Sequence, residues 1–87
     1  EANAAFMAEG YGRLTGRPGV CIVTAGPGAV NSAAGVAQAL VSNSPLVHIS
    51  GTVPSGSRGE VTHTMFDPRA LARLFEPITK RSIYVNN

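Results

Sequence analysis

Between Val20 and Asn31 the chain reads Val-Cys-Ile-Val-Thr-Ala-Gly-Pro-Gly-Ala-Val-Asn, and Gly26, Pro27, Gly28 and Asn31 are its chemically suggestive residues. Gly26 and Gly28 lack a Cβ, so backbone amides there can approach a ligand closely or take positive φ. Pro27 fixes φ and stiffens the turn between them. The turn follows a β-branched apolar run, Val20 to Thr24, and precedes an Ala-rich segment with helical spacing. Strand, glycine turn and helix in that order make half of a βαβ unit. In open parallel sheets ligands sit at the carboxyl edge of the strands, which is where this turn falls. For Asn31 alone, an ordinary place near the helix start after a tight βα turn stays open.

Three better-known site patterns do not fit. In a dinucleotide-binding G-x-G-x-x-G turn the third glycine would fall at Asn31, and no Asp or Glu lies about 20 residues on to hold a ribose. No Gly-Lys-Ser/Thr follows for a nucleotide phosphate loop, and no G-x-S-x-G marks a hydrolase serine. Cys21, the only cysteine, sits inside the apolar run and reads as a small buried hydrophobe. It can form neither an internal disulfide nor a zinc site. His48 reads as a partly buried neutral histidine making one hydrogen bond. No second His or carboxylate stands at ligand spacing to make it a metal site.

The elements that must position these residues follow from periodicity. Glu1 to Thr15 reads as a helix, with Ala4, Met7, Ala8, Tyr11 and Leu14 on one stripe. That stripe reads as core rather than as cofactor contact. Gly16 suits the C′ position, and Pro18 prevents continuation. Gly10 and Gly12 each cost such a helix about 1 kcal/mol, which predicts close packing on a neighbouring backbone. Val20 to Thr24 reads as a strand buried on both faces. A second helix runs from Ala29 to Val41 with Ala33, Val36, Ala37 and Leu40 inward, and Asn43, Ser44 and Pro45 end it. Leu46 to Ser50 is a second strand.

Thr52 to Phe66 lacks periodicity, and loops of that length tend to be functional or mobile. Asp67-Pro68 then resembles an N-cap followed by a first helical proline. Ala70, Leu71 and Leu74 give the short helix an apolar side, Pro77 ends it, and Ile83 to Val85 could form a last strand. The order predicts an α/β fold, an incomplete doubly wound parallel sheet with helices on both faces. Residues 1–87 then make one partial domain, because two or three strands are few for a sheet and no strand precedes the first helix. Glu1 in place of an initiator Met points the same way, to a fragment.

The totals agree with a globular α/β chain. Of 87 residues, 44% are hydrophobic and 14% charged, too apolar a mix for disorder. The net charge of +2 comes from scattered Arg and Lys with no basic run, which argues against nucleic-acid partners. No apolar run has the length of a membrane span and no signal peptide is visible, so no membrane partner and a cytoplasmic location are the expectations.

Taken together, Glu1 with the run Ala4 to Cys21 resembles the pyrimidine-binding domain of thiamine diphosphate enzymes, and the acetolactate synthase-like group most of all. Thr24-Ala25-Gly26-Pro27-Gly28-Ala29-Val30-Asn31 is similar to that group's T-[SA]-G-P-G-A-x-N turn. Ser44-Pro45-Leu46-Val47 through Gly51, and Pro77-Ile78-Thr79-Lys80, match later segments in order. The resemblance implies that Glu1 is the catalytic glutamate, which hydrogen-bonds the pyrimidine N1′ and favours the imino tautomer that deprotonates C2 of the thiazolium. Without the resemblance, Glu1 would read as a solvated carboxylate near a helix N-terminus. The resemblance also implies that Gly26, Pro27, Gly28 and Asn31 line the cofactor pocket at a subunit interface, in a homodimer or homotetramer. Thiamine diphosphate would be the cofactor, with Mg2+ held by a domain outside these residues and FAD present in some relatives. The substrate would be a 2-oxo acid, decarboxylated or ligated through a C2 carbanion.

One departure concerns the active-site loop. Where the acetolactate synthase-like group carries Phe-Gln-Glu, this chain has His63-Thr64-Met65. Thr62-His63-Thr64 is closer to the His-His-Thr of pyruvate decarboxylase-like enzymes, which implies a second catalytic candidate in His63, able to move protons near neutral pH. A 2-oxo acid decarboxylase is therefore one alternative. A non-catalytic α/β interaction module and a nicotinamide-binding domain are two others.

Overall fold

The computed structural model describes residues 1–52 and 69–85. His63, the Asp67-Pro68 cap and most of the aperiodic loop lie outside the described residues. Helix α1 spans Ala2–Thr15. It stops at Gly16, whose φ of 71° is left-handed and whose amide donates to the Gly12 carbonyl at 2.9 Å. Strand β1 (Gly19–Val23) then pairs in parallel with β2 (Leu46–Ser50), in a register running from Gly19 opposite Leu46 to Val23 opposite Ser50. The connection holds two helices, α2 (Pro27–Asn31) and α3 (Ala33–Val41). Further along come α4 (Ala70–Phe75) and a 3-10 turn over Glu76–Ile78.

One apolar cluster holds these elements together. Ala5 and Ala8 of α1, Cys21 and Val23 of β1, Ala29 of α2, Val36 of α3, and Leu71 and Phe75 of α4 are all buried in it. Every described helix therefore packs on the face of the sheet that carries Cys21 and Val23. A strand's side chains alternate between faces, and the opposite face is open, with Val20 58% and Ile22 72% exposed beside exposed Val47 and Ile49. β1 is thus covered on one face, not two. The described residues form a two-stranded parallel sheet with helices on one side.

The inward face of α1 also differs from the hydropathic stripe. Met7 and Leu14 are 73% and 88% exposed, and Tyr11 is exposed too, whereas Ala5, Ala8, Glu9 and Gly12 are buried. Size decides this, because α1 lies too close to its neighbours for large side chains. A Cβ on Gly12 would run into the Pro45 carbonyl, and one on Gly35 of α3 would come within 2.6 Å of the Ala5 Cβ. Gly10, by contrast, has open space around it. In α3 the buried residues are Gly35, Val36 and Ala39, and Leu40 is exposed. The expected single helix from Ala29 is broken at Ser32. Ile83 to Val85 form no strand. With β2 they line an open groove of about 760 Å³, which none of Glu1, Gly26, Gly28 or Asn31 touches. Among the described residues no helix is long and apolar enough to cross a membrane.

Candidate functional site

Glu1 stands at the mouth of α1, where its carbonyl accepts the Ala5 amide at 3.1 Å. Its side chain makes no capping bond. The carboxylate turns instead towards the end of β1, where Asn31 Nδ2 donates to Glu1 Oε1 at 3.4 Å. That distance is at the long end for a hydrogen bond, and both side chains are exposed, so the contact is weak. A carboxylate has about four acceptor positions, and among the described residues only Asn31 occupies one of them.

The glycine turn shapes the space in front of that carboxylate. Gly26 has φ 71° and ψ −135°, a conformation suited to glycine, and it reverses the chain directly after Ala25. Pro27 follows in the first turn of α2, where its missing amide hydrogen costs nothing. Gly28 is buried, and a Cβ there would lie 2.5 Å from the Thr24 methyl group and 3.5 Å from Glu1 Oε2. Any side chain at this position would press on Thr24 and fill the gap beside the carboxylate. Glu1, Gly26, Pro27, Gly28 and Asn31, named from the sequence as far apart as 30 positions, thus converge on one spot. His63 lies outside the described residues.

Two further polar groups tie the helices to the strands. Glu9 is buried on α1 and accepts three hydrogen bonds on Oε1, from Arg13 Nε at 2.9 Å, Arg13 Nη2 at 2.7 Å and Ser44 Oγ at 2.8 Å. The Ser44 hydroxyl, then the Arg13 guanidinium, hold its carboxyl below the usual carboxylate range. Arg13 Nη2 also donates to Ser42 Oγ at 3.0 Å, tying α1 to the turn before β2. A visible signal existed: Ala5, Ala8, Glu9 and Gly12 have the spacing of one helix face, and Glu9 stands four residues before Arg13. The second group is His48, whose Nε2 lies 2.7 Å from Ser32 Oγ. Its ring stacks on Phe75 with centroids 4.7 Å apart, and burial lowers its pKa. The expected half-buried neutral histidine with one hydrogen bond is what the fold contains. Cys21 is a buried free thiol whose pKa burial pushes up.

A carboxylate at a helix start beside a Gly-Pro-Gly turn at the carboxyl end of a parallel strand occupies the edge where α/β domains bind ligands. The family profile described as "Thiamine pyrophosphate enzyme, N-terminal TPP binding domain" matches residues 1–71, and the chain belongs to that family. It is 48% identical over all 87 residues to an acetolactate synthase of Bacillus subtilis (strain 168), of which it covers 15%. It is 41% identical over 98% of its length to a chloroplastic acetolactate synthase of Arabidopsis thaliana, covering 12% of that protein. A mitochondrial acetolactate synthase catalytic subunit of Aspergillus candidus is 39% identical over the whole chain, which spans 12% of it. The chain therefore corresponds to about one-eighth to one-seventh of the length of these relatives.

Proposed function

We propose that these residues form the pyrimidine-binding part of a thiamine diphosphate-dependent enzyme that decarboxylates a 2-oxo acid and joins its acyl carbon to a carbonyl acceptor. Acetolactate synthesis, the activity named for the relatives, is the form of that reaction we favour. The observation that carries the reading is the convergence of Glu1, Gly28 and Asn31. The donor set fits the cofactor. Glu1 offers a carboxyl group with spare hydrogen-bonding capacity, and the missing Cβ of Gly28 leaves room beside it.

In this reading Glu1 holds a proton at the pyrimidine N1′, and that proton bias is its catalytic task. Asn31 orients the carboxyl group, and the Gly26-Pro27-Gly28 turn forms the wall against which the ring rests. The cofactor, when bound, supplies the nucleophilic carbon that carries the acyl group. Mg2+ and the diphosphate would be held by residues outside this chain, and FAD is a further cofactor to test for. A buried site of this kind is completed between subunits, so a homodimer or homotetramer is part of the proposal. His63 is proposed to move protons near the substrate.

Thermal unfolding of the intact protein tests the cofactor. A rise in midpoint with thiamine diphosphate and Mg2+, and none with NAD, supports the reading; the reverse overturns it. Product analysis then separates the two enzyme types, since a synthase forms acetolactate from a 2-oxo acid while a decarboxylase releases a free aldehyde.

A further inference from the structure

Ser32 is the largest side chain in the described fold that is fully buried, and it stands where α2 ends and α3 begins. Its hydroxyl has two partners, the Ala29 carbonyl oxygen at 2.5 Å and His48 Nε2 at 2.7 Å. Two oxygens that close need a proton between them, and a serine has only one to give. Ser32 therefore donates to Ala29, and its oxygen accepts from His48. This fixes the histidine as the tautomer protonated on Nε2.

The imidazole is itself held flat by Phe75, stacked with an interplanar angle of 28°. A continuous set of contacts thus runs from α4 through β2 to the α2–α3 junction. Asn31 is the residue immediately before that junction, and its amide is the group that reaches Glu1. The Asn31 side chain is exposed, and a 3.4 Å bond is too weak to set its own direction. Its direction has to come from the backbone to which Ser32 is anchored.

We infer that His48 and Ser32 are positioning residues that aim Asn31 at the Glu1 carboxylate. The inference concerns the geometry of the apo site, and its catalytic meaning rests on the cofactor reading above. His48→Leu removes the donor and keeps the bulk, whereas His48→Gln keeps an N–H donor near the same place.

The test is NMR of the intact protein without cofactor, reading the Asn31 side-chain amide, with Glu1→Ala as the reference for an amide that has lost its acceptor. In His48→Leu and Ser32→Ala the Asn31 resonances should move to the Glu1→Ala position. In His48→Gln they should stay near the native one. The dissociation constant for thiamine diphosphate should rise about tenfold in His48→Leu, the low end of what metal sites lose when a partner that orients a ligand is removed, and should recover in His48→Gln. Unmoved Asn31 resonances in a folded His48→Leu protein would overturn the inference. Should that variant not fold, the ring nitrogens of the native protein decide, because protonation of His48 on Nδ1 instead of Nε2 would also overturn it. Failure of the native protein to bind thiamine diphosphate would sink the cofactor reading and leave the Asn31 result standing.

Discussion

Two glutamates, one capping α1 and one within it, have opposite circumstances. Glu9, in its middle, is buried and accepts three hydrogen bonds from Arg13 and Ser44, none longer than 2.9 Å. Glu1, at its start, is exposed and accepts one bond of 3.4 Å. The first carboxylate takes all three bonds on Oε1, from Arg13 of its own helix and from Ser44 before β2, and is buried against them. The second stands beside Gly28, where no side chain intrudes, and among the described residues it accepts only the bond from Asn31. The contrast separates a structural acid from a candidate catalytic one on hydrogen-bond occupancy alone.

Exchanging each group for a neutral one should divide function from stability. Glu1→Gln is expected to lower turnover by about 10²-fold or more, the range of a positioned proton donor, while leaving the unfolding midpoint of the intact protein in place. Glu9→Ala is expected to do the reverse. It leaves the buried Ser44 hydroxyl without its acceptor and removes the ion pair with half-exposed Arg13, and lowers the midpoint by several degrees while the cofactor still binds in whatever fraction stays folded.

The pH dependence follows from the same asymmetry. The Glu9 carboxyl is lowered from its usual 4.5 by Ser44 and Arg13. Its stabilising contribution is therefore fully present above that value and lost as pH falls through the lower folded-state value. Acid titration of the unfolding midpoint checks this by comparison with Glu9→Gln, which should lack that part of the acid loss.

Smaller effects sharpen the comparison along the same helix. Gly35→Ala puts a methyl group 2.6 Å from the Ala5 Cβ and 2.9 Å from the Phe6 amide nitrogen, forcing α3 away from α1. A loss of about 1–3 kcal/mol is expected, typical of overpacking. Gly10→Ala, with nothing near it, should stabilise by about 0.5–1 kcal/mol. Denaturant unfolding of the two variants gives both signs, and a loss at Gly10 would show that this face of α1 is covered in the intact protein.

Much of the site was legible in the sequence, because its signals are local. The β-branched run, the Gly26-Pro27-Gly28 turn and the C′ glycine at Gly16 all fall where expected. That Glu1 lies beside the turn was legible only through the family resemblance, since no local rule joins residues 30 positions apart. Hydropathy misjudged α1. It assigned Met7, Tyr11 and Leu14 to the interior, whereas close helix packing selects the small face of Ala5, Ala8 and Gly12. Glu9 was missed for a related reason, because a charged residue on a helix reads as solvated until its partners are known. The break at Ser32 was hidden because every residue around it tolerates a helix, and the bonds of its hydroxyl, with the tighter backbone bond to Ala29, mark the junction only in the fold.

Exchange of the C2 proton of thiamine diphosphate bound to the intact protein, followed in deuterated water, tests the central claim most directly. With Glu1 present the exchange should be fast relative to free cofactor. In Glu1→Gln, with the cofactor still bound, it should fall back towards the free rate. Exchange at the native rate in that variant would contradict the account and leave Glu1 as an exposed residue at the start of a helix.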